Sequence, residues 1–181
     1  MTLLRAALLG TVLLGAASAA QANSFVNGGF EDGTFNGWEQ GGGWWYGGWP
    51  INPNDYFAGG SLYDISANAS AIVTKYNDPN TGGALSSVYP GGGTYSARIN
   101  DDNNNYSVST IRQTVANYTD PHIYFAWAAV LEGSHGLTDS DNFTLKLTDD
   151  TTSTTLYNVS YSSASAAGTD AYVDVSGDHN I

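Results

Sequence analysis

Residues 142–149 read NFTLKLTD, and their alternation is the plainest structural statement in the chain. Phe143, Leu145 and Leu147 fall on one side of an extended backbone, and Thr144, Lys146 and Thr148 fall on the other. Successive side chains of a strand point to opposite faces, so a period of two predicts a strand with one dry face and one wet face. The pattern returns downstream in TLYNVSYSS, where Tyr157, Val159 and Tyr161 alternate with Asn158, Ser160 and Ser162. It also returns upstream in TYSARIN, where Tyr95, Ala97 and Ile99 alternate with Ser96, Arg98 and Asn100.

Working outward, HIYFAWAAVL carries Ile123, Phe125, Trp127, Ala129 and Leu131 on one face and mostly small apolar groups on the other. That composition predicts a central strand, buried on one side and partly covered on the second. Residues 71–76, 108–115 and 171–175 read as further strands. Clusters such as NDPNTGG and YPGGG between them are turn chemistry. No segment beyond residue 22 repeats its apolar residues at helical spacing. Many short strands without helices predict an all-β chain, an antiparallel β-sandwich or jelly roll. Residues 40–60, with GGGWWYGGWP at their heart, read as too rich in glycine and aromatics for a strand, and 133–141 as a polar loop. Loops held on a rigid sandwich are where function tends to sit.

Residues 1–22 read as a signal peptide: a basic start, an apolar run too short to span a bilayer stably, and an Ala20-Gln21-Ala22 cleavage pattern. Removing them from 181 leaves residues 23–181, one β-sandwich domain of 159 residues and no stable membrane span. The chain holds 5 Lys and Arg against 17 Asp and Glu, so loss of Arg5 takes the formal charge from -12 to -13. Such a surface repels phosphate backbones and excludes nucleic acid as a partner. With 13% aromatic and 41% hydrophobic residues there is enough apolar surface to offset chain entropy, so the acidity is that of a folded protein. Cysteine is absent, and stability rests on packing.

The residues with chemistry to offer are few. Trp44, Trp45, Tyr46 and Trp49 lie among glycines that give little side-chain cover. Exposed rings of this kind stack on the C–H faces of sugars, whereas buried ones would cap the open end of a sandwich. Arg98 could add a hydrogen-bond fork to a ligand, or pair with one of the many acids. In NGGFEDGTFNGW, residues 27–38, the glycines permit close approach and positive φ, Phe30, Phe35 and Trp38 can insert between sheets, and Glu31 and Asp32 offer oxygens. The stretch fits a calcium corner or a solvated turn with anchored rings. Asp101-Asp102 and Asp139-x-Asp141 read as solvated turns, since neither fits the twelve-residue calcium loop. Glu39 and Glu132 form a glycosidase pair only if they face each other across a cleft. His122, His135 and His179 are scattered and lie in no zinc motif. The reading is therefore non-catalytic.

The N-G-G-F-E pattern, a short Gly-containing spacer and G-W resemble the opening of galactose-binding-like jelly-roll domains, including bacterial carbohydrate-binding modules. The chain is similar also to secreted bacterial proteins that carry a PEP-CTERM sorting signal, through YSARIN, PHIYFAWAAVLEGSHGLTDSDNFTLKLTDD and LYNVSYSSA. The resemblance implies a galactose-binding-like jelly roll, secretion or display at the cell surface, extracellular polysaccharide as partner, and a structural calcium with Glu31 among its ligands. The chain departs from it by ending at DVSGDHNI, without the closing strand, the last Asp or the sorting signal, so truncation at the C-terminus is expected. The alternative role is a structural or adhesive matrix protein without a small ligand. A glycoside hydrolase or lyase would need a deep acidic cleft that nothing in the sequence predicts.

Overall fold

A computed structural model describes residues 24–47, 51–101, 105–131 and 140–163. Among them the protein is all-β and antiparallel, with strands β1 (Glu39–Trp44), β2 (Ala71–Thr74), β3 (Tyr95–Arg98), β4 (Ser107–Arg112), β5 (Asn142–Asp149) and β6 (Thr154–Ser162). They pair as three two-stranded sheets, β1 with β4, β2 with β3 and β5 with β6. The helical elements among the described residues are three single turns of 3-10 helix at Pro53–Tyr56, Ile65–Ala67 and Pro79–Thr81. No helix among the described residues is long and apolar enough to cross a membrane. The expected signal peptide and the expected strand at 171–175 lie outside the described residues.

The β5–β6 hairpin follows the alternation read from the sequence. Phe143, Leu145 and Leu147 are half-buried, while Thr144, Lys146 and Thr148 are exposed. The register puts Phe143 opposite Tyr161, Leu145 opposite Val159 and Leu147 opposite Tyr157, so the apolar residues of both strands share one face. Trp127 lies over that face, with ring centroids 4.9 Å from Phe143 and 5.5 Å from Tyr161, and Phe125 lies 5.8 Å from Tyr157. Residues 123–131 thus keep their predicted inward side in part: Ile123, Trp127 and Leu131 are half-buried, while Phe125 and Ala129 are exposed. They form no strand, however, and their other side, Tyr124, Ala126, Ala128 and Val130, is exposed rather than covered. Aromatic packing holds this segment without a ladder, because an extended chain needs only its side chains to seat on a sheet.

Residues 40–60, read as a loop, contain a strand. β1 carries Gly41, Gly42 and Gly43, all buried, at the centre of its pairing with β4. A Cβ on Gly41 would lie 2.5 Å from the Tyr56 carbonyl oxygen, and one on Gly42 would lie 2.8 Å from the Asn68 backbone nitrogen. A Cβ on Gly43 would strike the Leu62 carbonyl oxygen and the Tyr56 ring. The three glycines let residues 53–68 press directly onto the β1 backbone, the use that glycine in a strand interior serves. Among the described residues the buried apolar side chains are Tyr56 and Phe57, which meet these glycines, Ala67 and Val88. Asn52 and Asp64 accept the backbone N–H of Asn54 and Ser66 and so cap the two 3-10 turns that form the cover. Arg112 closes the other end of the ladder: its guanidinium forks onto Glu39 at 2.7 and 3.0 Å and lies 4.0 Å above the centre of the Phe57 ring.

Candidate functional site

At its far end β1 runs out beside the start of β4. Trp44 stands opposite Ser107, and the Trp45 N–H donates to the Tyr106 carbonyl at 2.7 Å, which extends the pairing by one residue. Neighbouring residues of an extended chain project to opposite sides, so the two tryptophans part company here. Trp44 is half-buried, and its indole N–H donates to Asp64 Oδ2 at 3.2 Å. Trp45 lies next to Tyr106, ring centroids 6.0 Å apart and planes tilted by 35°. Tyr106 is 59% exposed and Tyr46 is 80% exposed. The end of the ladder therefore carries a pair of adjoining rings with a third, freely exposed ring beside it in sequence. Trp49, the fourth predicted member, lies outside the described residues.

The Trp44 side of the ladder is polar. Asp64 accepts the Ser66 hydroxyl at 2.6 Å and the Ser66 N–H at 3.0 Å. These bonds, the hydroxyl first, and the Trp44 indole hold its carboxyl below the ordinary 3.8. Asn105 Oδ1 accepts the Ser107 N–H, and Asn100 Oδ1 accepts the Ser107 hydroxyl at 3.1 Å. Tyr106 went unnoticed in the sequence because nothing local pairs it with Trp45. Its only signal is its position two residues before the strand predicted at 108–115.

Arg98 ends β3 opposite Ala71, with its side chain exposed. Among the described residues it makes no side-chain hydrogen bond or ion pair. The acid pairing expected of it belongs to Arg112 instead.

The opening stretch forms a tightly bonded turn. Asn27 donates to Asp32 Oδ1 at 2.7 Å and to the Thr34 carbonyl at 2.8 Å, and the same Asp32 oxygen accepts both the N–H and the hydroxyl of Thr34. These bonds, with the Thr34 hydroxyl foremost, lower the Asp32 pKa. The rings expected to insert between sheets pack on one another: Phe30 lies 5.0 Å from Trp38 and 6.0 Å from Phe35, and Trp38 lies 6.4 Å from Phe25. Phe30 itself adopts φ 61, a left-handed conformation that bulky residues rarely take, and the ring contacts hold it there.

Glu31 reaches the start of β3. Its Oε1 accepts the N–H groups of Thr94 and Tyr95, each at 3.1 Å, and its Oε2 accepts that of Thr94 at 2.9 Å. Gly93 makes room for it, since a Cβ there would collide with the carboxylate. Backbone donors thus occupy most of the lone pairs that a calcium ion would need. Among the described residues no group of three Asp, Glu or His gathers to hold a metal ion. Asp102, Asp139, His135 and His179 lie outside the described residues.

The imagined carboxylate pair loses one member to the same limit, since Glu132 is outside the described residues, and Glu39 is taken up by Arg112. His122 takes part in a local turn, with its N–H on Asp120 and its carbonyl accepting the Tyr118 hydroxyl at 2.7 Å. No family model, no curated protein and no solved structure matches the chain.

Proposed function

We propose that this is a non-catalytic secreted or cell-surface protein, a β-sandwich of the galactose-binding-like jelly-roll type, that holds extracellular polysaccharide on the rings of Trp45, Tyr106 and Tyr46. One observation carries the reading: two adjoining rings at the end of a ladder, Trp45 and Tyr106, with 59% of Tyr106 open to solvent. A sugar ring has an apolar C–H face and a polar edge, and adjoining rings that carry phenol hydroxyls suit both. Trp44 serves the site from behind, tied by its indole to Asp64.

The structural or adhesive reading draws on that same tie. A ring whose polar atom is already bonded within the chain acts as a packing element, and Trp44 alone would favour it. Glu31 acts here as a clamp between the opening turn and β3. Calcium remains an added ligand of that corner in this proposal, through the open side of Oε2.

Affinity electrophoresis and tryptophan fluorescence of the mature chain against soluble polysaccharides test the proposal. Retardation that Trp45→Ala and Tyr106→Ala abolish, and that Trp44→Phe preserves, is the expected result. A chain that folds and is retarded by none of them is the structural protein instead. For the calcium arm, the ion should raise Tm in the wild type and not in Glu31→Gln, since a ligand of the folded state alone must stabilise it. An equal rise in both would remove Glu31 from the cation site.

A further inference from the structure

Glycine follows Asn or Asp three times in the chain, at Asn27-Gly28, Asp32-Gly33 and Asn36-Gly37, and all three pairs fall in the opening turn. Such pairs share a chemistry. The glycine nitrogen can attack the side-chain carbonyl carbon of the residue before it, and a glycine has no Cβ to block the approach. In a folded chain the reaction depends on whether the two groups are free to meet.

Two of the pairs are locked. The Asn27 amide donates to Asp32 Oδ1 at 2.7 Å and to the Thr34 carbonyl at 2.8 Å, and its oxygen accepts the Asp32 N–H at 3.2 Å. In the second pair the attacking group is occupied, since the Gly33 N–H donates to the Phe30 carbonyl at 2.9 Å. Its target is a poor electrophile as well, because bonds led by the Thr34 hydroxyl keep Asp32 a carboxylate. The third pair is open. Asn36 and Gly37 are exposed in the middle of a turn whose closing bond runs from the Trp38 N–H to the Phe35 carbonyl at 2.9 Å. The Asn36 backbone N–H is held by Thr34 Oγ1 at 3.0 Å, and its side chain hydrogen-bonds Asp32 at the surface. Among the described residues nothing donates to the Asn36 side-chain oxygen and nothing accepts the Gly37 N–H.

We infer that Asn36 is the site of spontaneous deamidation in this chain, an irreversible change that loosens the opening turn from the end of β4. The Gly37 nitrogen bonds to Asn36 Cγ, the Cγ–Nδ2 bond breaks, and ammonia leaves carrying the Gly37 proton, which gives a cyclic imide. Water then adds to one imide carbonyl and opens the ring. One opening yields aspartate and the other isoaspartate, in which the main chain runs through the former side chain. Water is the only co-reactant.

Isoaspartate lengthens the main chain by one carbon where there is little room. Gly37 sits against Val26: a Cβ on it would lie 2.7 Å from Val26 Cβ and 2.9 Å from the Val26 carbonyl oxygen. Val26 is clasped in turn by Gln113, the residue after β4, which accepts its N–H at 2.6 Å and donates to its carbonyl at 2.9 Å. Displacing Gly37 therefore pushes on that clasp.

The test incubates the full mature chain in warm, mildly alkaline buffer and maps its peptides by mass spectrometry. Conversion of amide to acid is read at Asn27 and Asn36, and fragmentation tells isoaspartate from aspartate. In the folded chain Asn36 should convert at least about tenfold faster than Asn27, whose three amide bonds must open first. In urea the two should convert at similar rates, since glycine follows both. Equal rates in the folded chain, or conversion of Asn36 that only urea allows, overturn the inference. For the consequence, hydrogen exchange at the Val26 amide should quicken in the isoaspartate form and stay slow in freshly prepared Asn36→Asp, which adds the charge without the carbon. A Val26 amide as protected in the isoaspartate form as in wild type, or as exposed in Asn36→Asp, overturns the coupling to β4.

Discussion

The β5–β6 hairpin and the β1–β4 ladder are both two-stranded and antiparallel, but they are held by different means. The hairpin alternates apolar and polar residues along its length, and its dry face is covered by the rings of Phe125 and Trp127. Among the described residues β5 and β6 touch each other and no other strand or helical turn. The β1–β4 ladder has no comparable alternation in its first strand. It is covered on the glycine side by residues 53–68, through backbone contacts, caps and the rings of Tyr56 and Phe57. The pair teaches that a strand can be held by its own side chains or by the close approach that missing side chains permit. Only the first way leaves a periodic trace.

The comparison breaks most sharply at Gly43. Gly43→Ala forces a Cβ onto the Leu62 carbonyl oxygen and to 2.7 Å from Tyr56 Cδ1, and should cost about 3 kcal/mol or more, read by urea or thermal unfolding. Gly59→Ala is the control: φ there is 89 with open space around it, so only local strain of about 1 kcal/mol is expected. Similar losses at both positions would mean that backbone packing is not what holds β1.

Trp127→Ala is the matching test of the hairpin. It removes the ring stacked on Phe143 and Tyr161 and should cost about 2 kcal/mol, less than a fully buried tryptophan because this one is half-exposed. Hydrogen exchange should then lose protection in 142–162 while the amides of 39–44 and 107–112 keep theirs. Equal loss in both would merge the two regions into one cooperative unit.

A smaller effect is expected at the end of the ladder. Arg112→Lys keeps the charge but loses the planar fork on Glu39 and the stacking over Phe57. Both side chains of the ion pair are 43% exposed, so screening limits the loss to about 1 kcal/mol in thermal unfolding. A Tm unchanged from wild type would assign the closure of this end to the 3-10 turns alone.

The smallest effect is acid sensitivity, shared by both regions. Asp32, Asp64 and Asp149 are held below the ordinary 3.8, first by the hydroxyls of Thr34, Ser66 and Thr152 respectively. A carboxyl whose pKa is lower in the folded state adds stability above the unfolded value, and that stability is lost as pH falls through the folded value. Tm should therefore decline as pH is taken below 3.8, and Asp149→Asn should flatten the decline for the hairpin only. A Tm independent of pH in that range would mean these turns persist with the carboxyls protonated.

Much of the strand content was legible in advance. The sequence predicts strands within a few positions of 71–74, 95–98, 107–112, 142–149 and 154–162, because alternation of side chains is a local property that survives in the sequence. The alternating segment 123–131 keeps Ile123, Trp127 and Leu131 half-buried but forms no strand, since pairing needs a partner edge as well as a pattern. At the ring platform the aromatic residues were legible and their division was not. Whether Trp44 faces Asp64 and Trp45 faces Tyr106 depends on the register of β1 against β4, and no residue in the loop encodes that register.

From the residue order alone follow the all-β class, the acidic surface, the dry and wet faces of β5 and β6, and the concentration of rings at 44–49, all of which depend on composition or on neighbours along the chain. The tertiary structure alone made EQGGGW a strand, brought Tyr106 to Trp45, and turned Glu31 toward the backbone of Thr94 and Tyr95. The reason is physical. Glycine has no side chain to carry a period, and a contact between residues 60 positions apart is selected by the shape and donors that folding brings together.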